Sequence, residues 1–269
     1  MKKIILLFIS SLLILSTNAF AKDISAYLVG EYVEVDTVKN RLSRAGFEVI
    51  AEYNSVAEGV TIVFTNDALK AEASKEKRAH AAVLRVFVDT QEKVISITNP
   101  VYFGRAFMQD DFNEAVFEAQ LTSINGVFKG LTGSIDKLED DDIAGFHFMM
   151  GMPYYEDPDE LAEAKNSELL AKLRAYNSGK NIIFELKLSD KSTLVGYDIG
   201  SETKGFIKGI GRANASVLPY CISIEDGEAT ALAAKYYLAI SYPLLSMGEF
   251  MTISSVPGEI LEELEKPFK

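Results

Sequence analysis

Residues 78–103 read RAHAAVLRVFVDTQEKVISITNPVYF, and residues 212–237 read RANASVLPYCISIEDGEATALAAKYY. The offset between the two stretches is 212 − 78 = 134 positions. In that register the pattern Arg-Ala-x-Ala-x-Val-Leu begins at Arg78 and again at Arg212. A pattern that recurs at one fixed offset, with the same order of predicted elements around each copy, indicates an internal duplication. The sequence therefore predicts two related units.

Each unit is predicted to contain a strand, a helix, two strands, a short helix, a hairpin and a closing helix. In the first unit, apolar β-branched runs predict strands at 47–53 and 60–64 and a hairpin at 83–88 and 94–98. Apolar residues at helical spacing predict the closing helix at 111–128. Single helices between antiparallel strands are typical of the α+β class. We therefore expect two α+β repeats, each a mainly antiparallel sheet with helices packed on one side.

The second unit is predicted from the same order of elements. Its opening strand is expected at 145–155, its long helix at 157–176 and its hairpin at 217–224 and 228–234. Between the units, residues 133–142 lose the apolar pattern and predict a linker, and their acidic run at 139–142 indicates either a solvated linker or a helix N-terminus. The predicted division is a signal peptide at 1–21, a first repeat at 22–138 and a second repeat at 139–269.

The N-terminus has the pattern of a secretory signal. Lys2 and Lys3 precede an apolar run at 4–15, and Ala19-Phe20-Ala21 fits the small-x-small cleavage rule. An uncleaved anchor is the second interpretation, but the apolar run is short for a membrane span. We expect a periplasmic protein, secreted across the inner membrane, with no stable membrane insertion after cleavage.

The net charge of the full chain is −12, and loss of the two signal lysines gives −12 − 2 = −14. A surface this acidic repels phosphate backbones, so nucleic acid is not an expected partner. A small-molecule ligand is the expected partner, and the sequence assigns neither a cofactor nor an oligomeric state.

Residues 218–227 read LPYCISIEDG and resemble a motif of the bacterial domain-of-unknown-function family 302. In that family a Leu-Pro-Cys stretch leads a strand, and a short turn ends in Glu-x-x-Gly or similar. Here Cys221 stands one place later, and Tyr220 occupies the family position. The resemblance reaches the first unit only through the internal repeat. It implies tandem α+β domains and no particular reaction.

Cys221 is the only cysteine, which excludes an intrachain disulfide. It lies in an alternating strand pattern, so a buried structural thiol is the favoured interpretation over a reactive or ligand-binding thiol.

The segment 146–155, FHFMMGMPYY, carries one His and three Met. Thioether and imidazole groups suit Cu(I) or haem iron. On a strand His147 and Met149 would share a face, and Met247 or His80 would have to complete the site. The other interpretation is a core strand in which Met fills irregular gaps.

Matching residues of the two copies are further candidates for ligand binding. Arg78 and Arg212 each precede a predicted hairpin and suggest either an anion clamp or a structural bond to carbonyls or a carboxylate. Tyr102 and Tyr236 also match at the 134-residue offset, and they suggest either a pocket for a flat ligand or core packing.

The sequence contains no Gly-x-Ser-x-Gly elbow and no acid pair with the spacing of acid/base catalysis. The preferred function is therefore a non-catalytic small-ligand binding or accessory protein. The alternatives are copper or haem binding through His147 and methionines, and an enzyme of unrecognised type acting on an anionic substrate.

Overall fold

The structure is a computed structural model that describes residues 22–269. The predicted signal peptide at 1–21 lies outside the described residues. Within residues 22–269 no helix combines the length and apolar character that a membrane span requires.

The first unit contains eight strands and four α-helices among the described residues. The strands are β1 (Asp23–Ser25), β2 (Tyr27–Glu31), β3 (Glu48–Val56), β4 (Gly59–Thr65), β5 (Leu84–Asp89), β6 (Val94–Thr98), β7 (Thr132–Gly133) and β8 (Lys137–Glu139). The helices are α1 (Val35–Arg44), α2 (Asp67–Ala73), α3 (Pro100–Met108) and α4 (Glu114–Val127). A 3-10 turn at Ala79–Ala82 precedes β5.

The second unit repeats this sequence of elements with fewer strands. Its strands are β9 (Asp159–Glu163), β10 (Ile182–Lys187), β11 (Ser192–Tyr197), β12 (Tyr220–Glu225) and β13 (Glu228–Ala231). Its α-helices are α5 (Asn166–Ala175), α6 (Ile207–Ile210), α7 (Ala234–Ser241), α8 (Met247–Thr252) and α9 (Val256–Glu265). A 3-10 segment at Arg212–Val217 precedes β12.

The two main sheets have the same topology. The first has the order β3-β4-β5-β6-β2-β7 and the second the order β10-β11-β12-β13-β9, and each pairing within them is antiparallel. Helices α1 and α4 cover one face of the first sheet, and α5 and α9 cover one face of the second. The predicted fold of two α+β repeats with largely antiparallel sheets and helices on one side is confirmed. The predicted boundary after residue 138 stays a prediction.

Local sequence signals place several of these elements. The Asn66 side chain accepts the Leu69 N–H at 2.9 Å and begins α2, as expected for an N-cap. Gly46 follows α1 with a φ of +85°, which a residue with a Cβ adopts only at a cost. In β12 the alternation directs Ile222 and Ile224 into the core beneath α5.

Two predicted elements of the second unit are wrong. Residues 145–155 form turns instead of a strand, because Gly151 takes a φ of +84° and Pro153 follows it. The opening strand is β9, a polar edge strand that the apolar pattern did not reveal, and the helix predicted from Asp157 begins only at Asn166. The segment predicted as a solvated linker contains β8, which pairs with β1.

The two units meet through equivalent residues. The Tyr102 hydroxyl donates to the Ile240 carbonyl at 2.7 Å, and the Tyr236 hydroxyl donates to the Ala106 carbonyl at 3.3 Å. Donors and acceptors are both 134 positions apart, so the two bonds are related by an approximate two-fold axis. The 3-10 segment of each unit packs against strands of the other unit's sheet. This exchange leaves two equivalent sites, one at each end of the interface.

Candidate functional site

A cavity of about 360 Å³ lies at one of these ends, between the first unit and the open face of the second sheet. Residues 76–80 form one wall, and the turn that holds Tyr155 and Glu156 forms another. The floor is the face of β12, β13 and β9 that is turned away from α5 and α9. Its volume falls within the range of pockets that bind small molecules.

Strand alternation builds the floor of the cavity. Ser223 lies opposite Thr230, and Thr230 lies opposite Glu160, so one residue from each strand points to the cavity along a single row. The Ser223 side chain is 4% exposed, and its hydroxyl has no hydrogen-bond partner within residues 22–269. A buried polar group without a partner costs free energy, and a ligand that supplies the bond removes that cost.

Two hydrogen bonds at Lys77 hold the first unit against this floor. The Lys77 N–H donates to the Glu225 carboxylate at 3.2 Å, and the Tyr155 hydroxyl donates to the Lys77 carbonyl at 2.6 Å. The backbone of Lys77 has a φ of +59°, whereas the equivalent residue of the second unit is Gly211, with a φ of +94°. A lysine held in this conformation is strained, which is common at binding sites.

At the other end of the interface an ion pair joins the two units. There the Arg212 guanidinium donates to both carboxylate oxygens of Asp89, at 3.1 and 2.9 Å. Asp89 is fully buried and also accepts the N–H groups of Gln91 and Glu92. The guanidinium holds the pKa of Asp89 below its usual range, against the opposing effect of burial.

In the 134-residue sequence register, Arg78 corresponds to Arg212 and Ser223 to Asp89. The strand pairings instead place Glu225 where Asp89 lies, because each is the last residue of its strand and pairs with both neighbouring strands there. Arg78 does not pair with Glu225 but with Asp111 at 3.0 Å and with Glu156 at 3.1 Å. The cavity therefore occupies the place that an arginine takes at the other end.

The cavity is acidic. Its lining contains one lysine and six carboxylates, namely Glu76, Glu156, Glu160, Glu225, Asp226 and Glu228. Burial raises the pKa of Glu225, and the neighbouring charges of Asp226 and Glu76 raise it further. His80 is largely buried at the inner end, and burial together with the charge of Arg85 lowers its pKa to about 3. His80 is therefore neutral at pH 7.

The predicted ligand-binding residues lie at both ends of the interface. Arg78 stacks on the Tyr155 ring at the cavity wall, with 5.6 Å from its Cζ atom to the ring centroid, and Tyr236 contacts the same ring. Arg212 lies in the ion pair at the opposite end. Tyr102 is buried in the interface.

Cys221 lies in a neighbouring cavity of about 10 Å³ that shares His80 and Leu232 with the larger one. Its sulfur accepts a bond from the Arg85 guanidinium at 3.2 Å. Burial raises the pKa of the Cys221 thiol, and the nearby Arg85 opposes that shift only in part.

The predicted metal ligands are divided between two places. His80 lies in the cavity, whereas His147 lies in the turn at 145–155, where its ring contacts that of Tyr154 at 4.3 Å. The Phe148 and Phe250 rings are 5.0 Å apart, which places the segment with His147 and Met149 beside α8 with Met247. Among residues 22–269 no group of three or more His, Cys, Asp or Glu side chains has the arrangement of a metal site.

No family model, curated protein or solved structure matches this chain. The resemblance to the domain-of-unknown-function family 302 therefore stays a prediction from the motif at 218–227. The case for a function rests on the geometry of the chain itself.

The sequence did not single out Ser223, Glu225 or Lys77, which define the cavity. The signal in the sequence is a difference between the copies, because in the 134-residue register these three residues align with Asp89, Gln91 and Gly211. A second depression, of about 430 Å³, lies on the first unit near Arg41, Arg44 and Lys129. These side chains are exposed or half-buried, so the inter-unit cavity is the better candidate site.

Proposed function

We propose that this protein is an exported, non-catalytic binding or accessory protein of the periplasm that holds a small ligand in the cavity between its two units. The observation that carries the proposal is the buried, unpartnered hydroxyl of Ser223 on the floor of a 360 Å³ cavity. Export is inferred from the sequence of residues 1–21.

The chemistry of the lining supports binding over catalysis. A general base works best with a pKa near the operating pH, and the pKa of His80 is about 3. The Cys221 thiol is buried, and burial raises its pKa, which disfavours the nucleophilic thiolate. The strained Lys77 backbone instead provides a preorganised site, which lowers the entropy cost of binding.

A thermal-shift screen of small molecules tests the proposal. Thr230→Phe fills the cavity from the middle of its floor, and Thr193→Phe places the same ring on a half-buried strand position outside the cavity lining. A ligand at about 100 times its Kd stabilises the native state by about 2.7 kcal/mol. We expect hits that stabilise the wild type and Thr193→Phe but not Thr230→Phe. Hits that are unaffected by Thr230→Phe would show that the ligand binds elsewhere.

A second candidate function is Cu(I) binding by the methionine-rich surface near His147. The Phe148–Phe250 contact favours it, because Met149 and Met247 are 41% and 44% exposed on the two adjoining segments. Cu(I) titration against a chromophoric competitor tests it. Binding that is lost in His147→Ala and in Met247→Leu supports a site, and a protein that does not compete for the metal excludes one.

A further inference from the structure

The negative charge of the cavity is only partly compensated by the protein. Of the six carboxylates in its lining, Glu156 pairs with Arg78 and Asp226 pairs with Lys191 at 3.1 Å. Glu76, Glu160, Glu225 and Glu228 form no salt bridge within residues 22–269. Uncompensated carboxylates around a concave surface attract cations and repel anions.

The nearest buried cation, Arg85, does not reverse the negative potential of the cavity. The Arg85 guanidinium lies behind His80 and Leu232, in the separate 10 Å³ cavity, where it donates to the Pro219 carbonyl at 3.2 Å and to Cys221. Burial, together with the charge of Arg85, lowers the pKa of His80, which therefore adds no positive charge to the larger cavity. Lys77 contributes the only ammonium among the lining residues that the structure describes.

The opposite end of the interface shows which group this fold accommodates there. A guanidinium lies against Asp89, bonded to both of its oxygens and to the Glu58 carbonyl at 3.3 Å. At the cavity Glu225 ends its strand as Asp89 does, but no guanidinium of the described residues pairs with it. An external cation would restore the same arrangement in the cavity, with Glu225 as its counter-ion and Ser223 Oγ as an acceptor.

We propose that the ligand of the cavity is a small organic cation, whose ammonium or guanidinium group binds between Glu225 and Ser223 and whose carbon chain lies along Tyr155 and Leu232. This inference rests on the proposed binding function and specifies its ligand class. Both cationic groups are donors, which suits a carboxylate and a hydroxyl that has a free acceptor.

A matched ligand series tests the charge. Pentylamine, 1-pentanol and pentanoate have the same carbon chain and differ in the charge of the head group, and agmatine supplies a guanidinium. Isothermal titration at low salt should show pentylamine and agmatine binding at least about 10-fold more tightly than 1-pentanol, with no binding of pentanoate. Nα-acetyl-lysine methylamide distinguishes a peptide side chain from a free amine as the source of the cation, according to which binds more tightly.

Glu225→Gln is the decisive variant. The amide oxygen still accepts the Lys77 N–H, and glutamine has the size of glutamate, so the fold is retained. We expect about a 10-fold or greater loss of affinity for the amine. Glu118→Gln on α4 is the control, because it removes the same charge outside the cavity and should leave affinity unchanged.

The outcomes separate the two proposals. If 1-pentanol or pentanoate binds as tightly as the amine, and Thr230→Phe abolishes that binding, the cavity is a ligand site but the cation is wrong. If the amine binds equally well to wild type, Glu225→Gln and Thr230→Phe, its site is not this cavity, and both proposals fail. Loss of amine binding in Glu225→Gln and Thr230→Phe, with retention in Glu118→Gln, supports both.

Discussion

Replacement of Arg212 by alanine should destabilise the protein far more than the same replacement of its counterpart, Arg78. Arg212→Ala removes the partly exposed guanidinium that covers the Asp89 carboxylate and leaves that carboxylate held only by two backbone N–H groups. Removal of one member of a buried ion pair costs about 3–5 kcal/mol, and the 22% exposure of Arg212, which lets water reach Asp89 in the variant, places this site at the lower limit, about 3 kcal/mol. Arg78→Ala leaves carboxylates that are 44% and 51% exposed and hydrated, so we expect a loss of about 1 kcal/mol.

Thermal unfolding followed by circular dichroism measures the difference. For a chain of this size these losses correspond to about 6–12 °C for Arg212→Ala and about 2–4 °C for Arg78→Ala. Asp89→Asn combined with Arg212→Ala should recover part of the loss, because the buried charge is then absent. Equal shifts for the two single variants would refute the assignment of Asp89 to a buried pair.

The same variant has a defined pH dependence. The pKa of Asp89 is lowered in the folded protein, so its contribution is fully present above the unfolded value of about 3.9 and is lost as the pH falls through the folded value. The stability gap between wild type and Arg212→Ala should therefore persist at neutral pH and close only in acid. The gap narrows from the pKa that Asp89 has in the variant, which loss of the guanidinium raises above that of the wild type, so a gap that is the same at pH 7 and pH 2 would assign the effect to another group.

Three further predictions concern the interface, the packing and the thiol. Tyr102→Phe and Tyr236→Phe each remove one of the two symmetry-related hydrogen bonds. Each should therefore lower the unfolding free energy, measured by urea titration, by about 1 kcal/mol. A neutral result for both variants would show that the bonds do not hold the units together. Gly104→Ala in α3 places a Cβ against the Phe117 ring and should lower the unfolding free energy by about 1–3 kcal/mol. Gly126→Ala in α4 meets no atom and should raise the unfolding free energy by up to about 1 kcal/mol. The opposite order of the two variants would contradict the packing of α3 on α4. Cys221 is buried, and burial raises the pKa of its thiol. A thiol-reactive dye at pH 8 should therefore label the protein only after unfolding. Rapid labelling of the native protein would indicate an open path to the thiol.

The apolar patterns that predicted strands and helices from the sequence correspond to elements that bury an apolar face. The hairpin of β5 and β6 and the helix α4 follow from such patterns, and the 134-residue offset predicted the shared topology of the sheets. The apolar pattern did not predict the start of helix α3, which is set by local capping. The Asn99 side chain caps α3, and Pro100 occupies its first turn, where no N–H is needed.

The cavity could not be predicted from either copy alone. Ser223 and Glu225 look like ordinary residues of a strand, and their role depends on which segment of the other unit packs over them. Arg78 and Arg212 are equivalent in sequence, yet one lies against a buried carboxylate and the other against exposed ones. Arg212 pairs with the carboxylate at the end of the neighbouring strand, whereas Arg78 does not pair with Glu225, so the repeat indicated both places but not which of them is open.

A crystal structure of the full chain soaked with agmatine is the most direct measurement of whether the two-unit interface holds a ligand site. We expect density for a planar guanidinium within hydrogen-bond distance of the Glu225 carboxylate and Ser223 Oγ, and no density in crystals of Glu225→Gln soaked in the same way. Agmatine bound elsewhere, with the cavity occupied by water alone, would contradict the assignment of this cavity as the binding site.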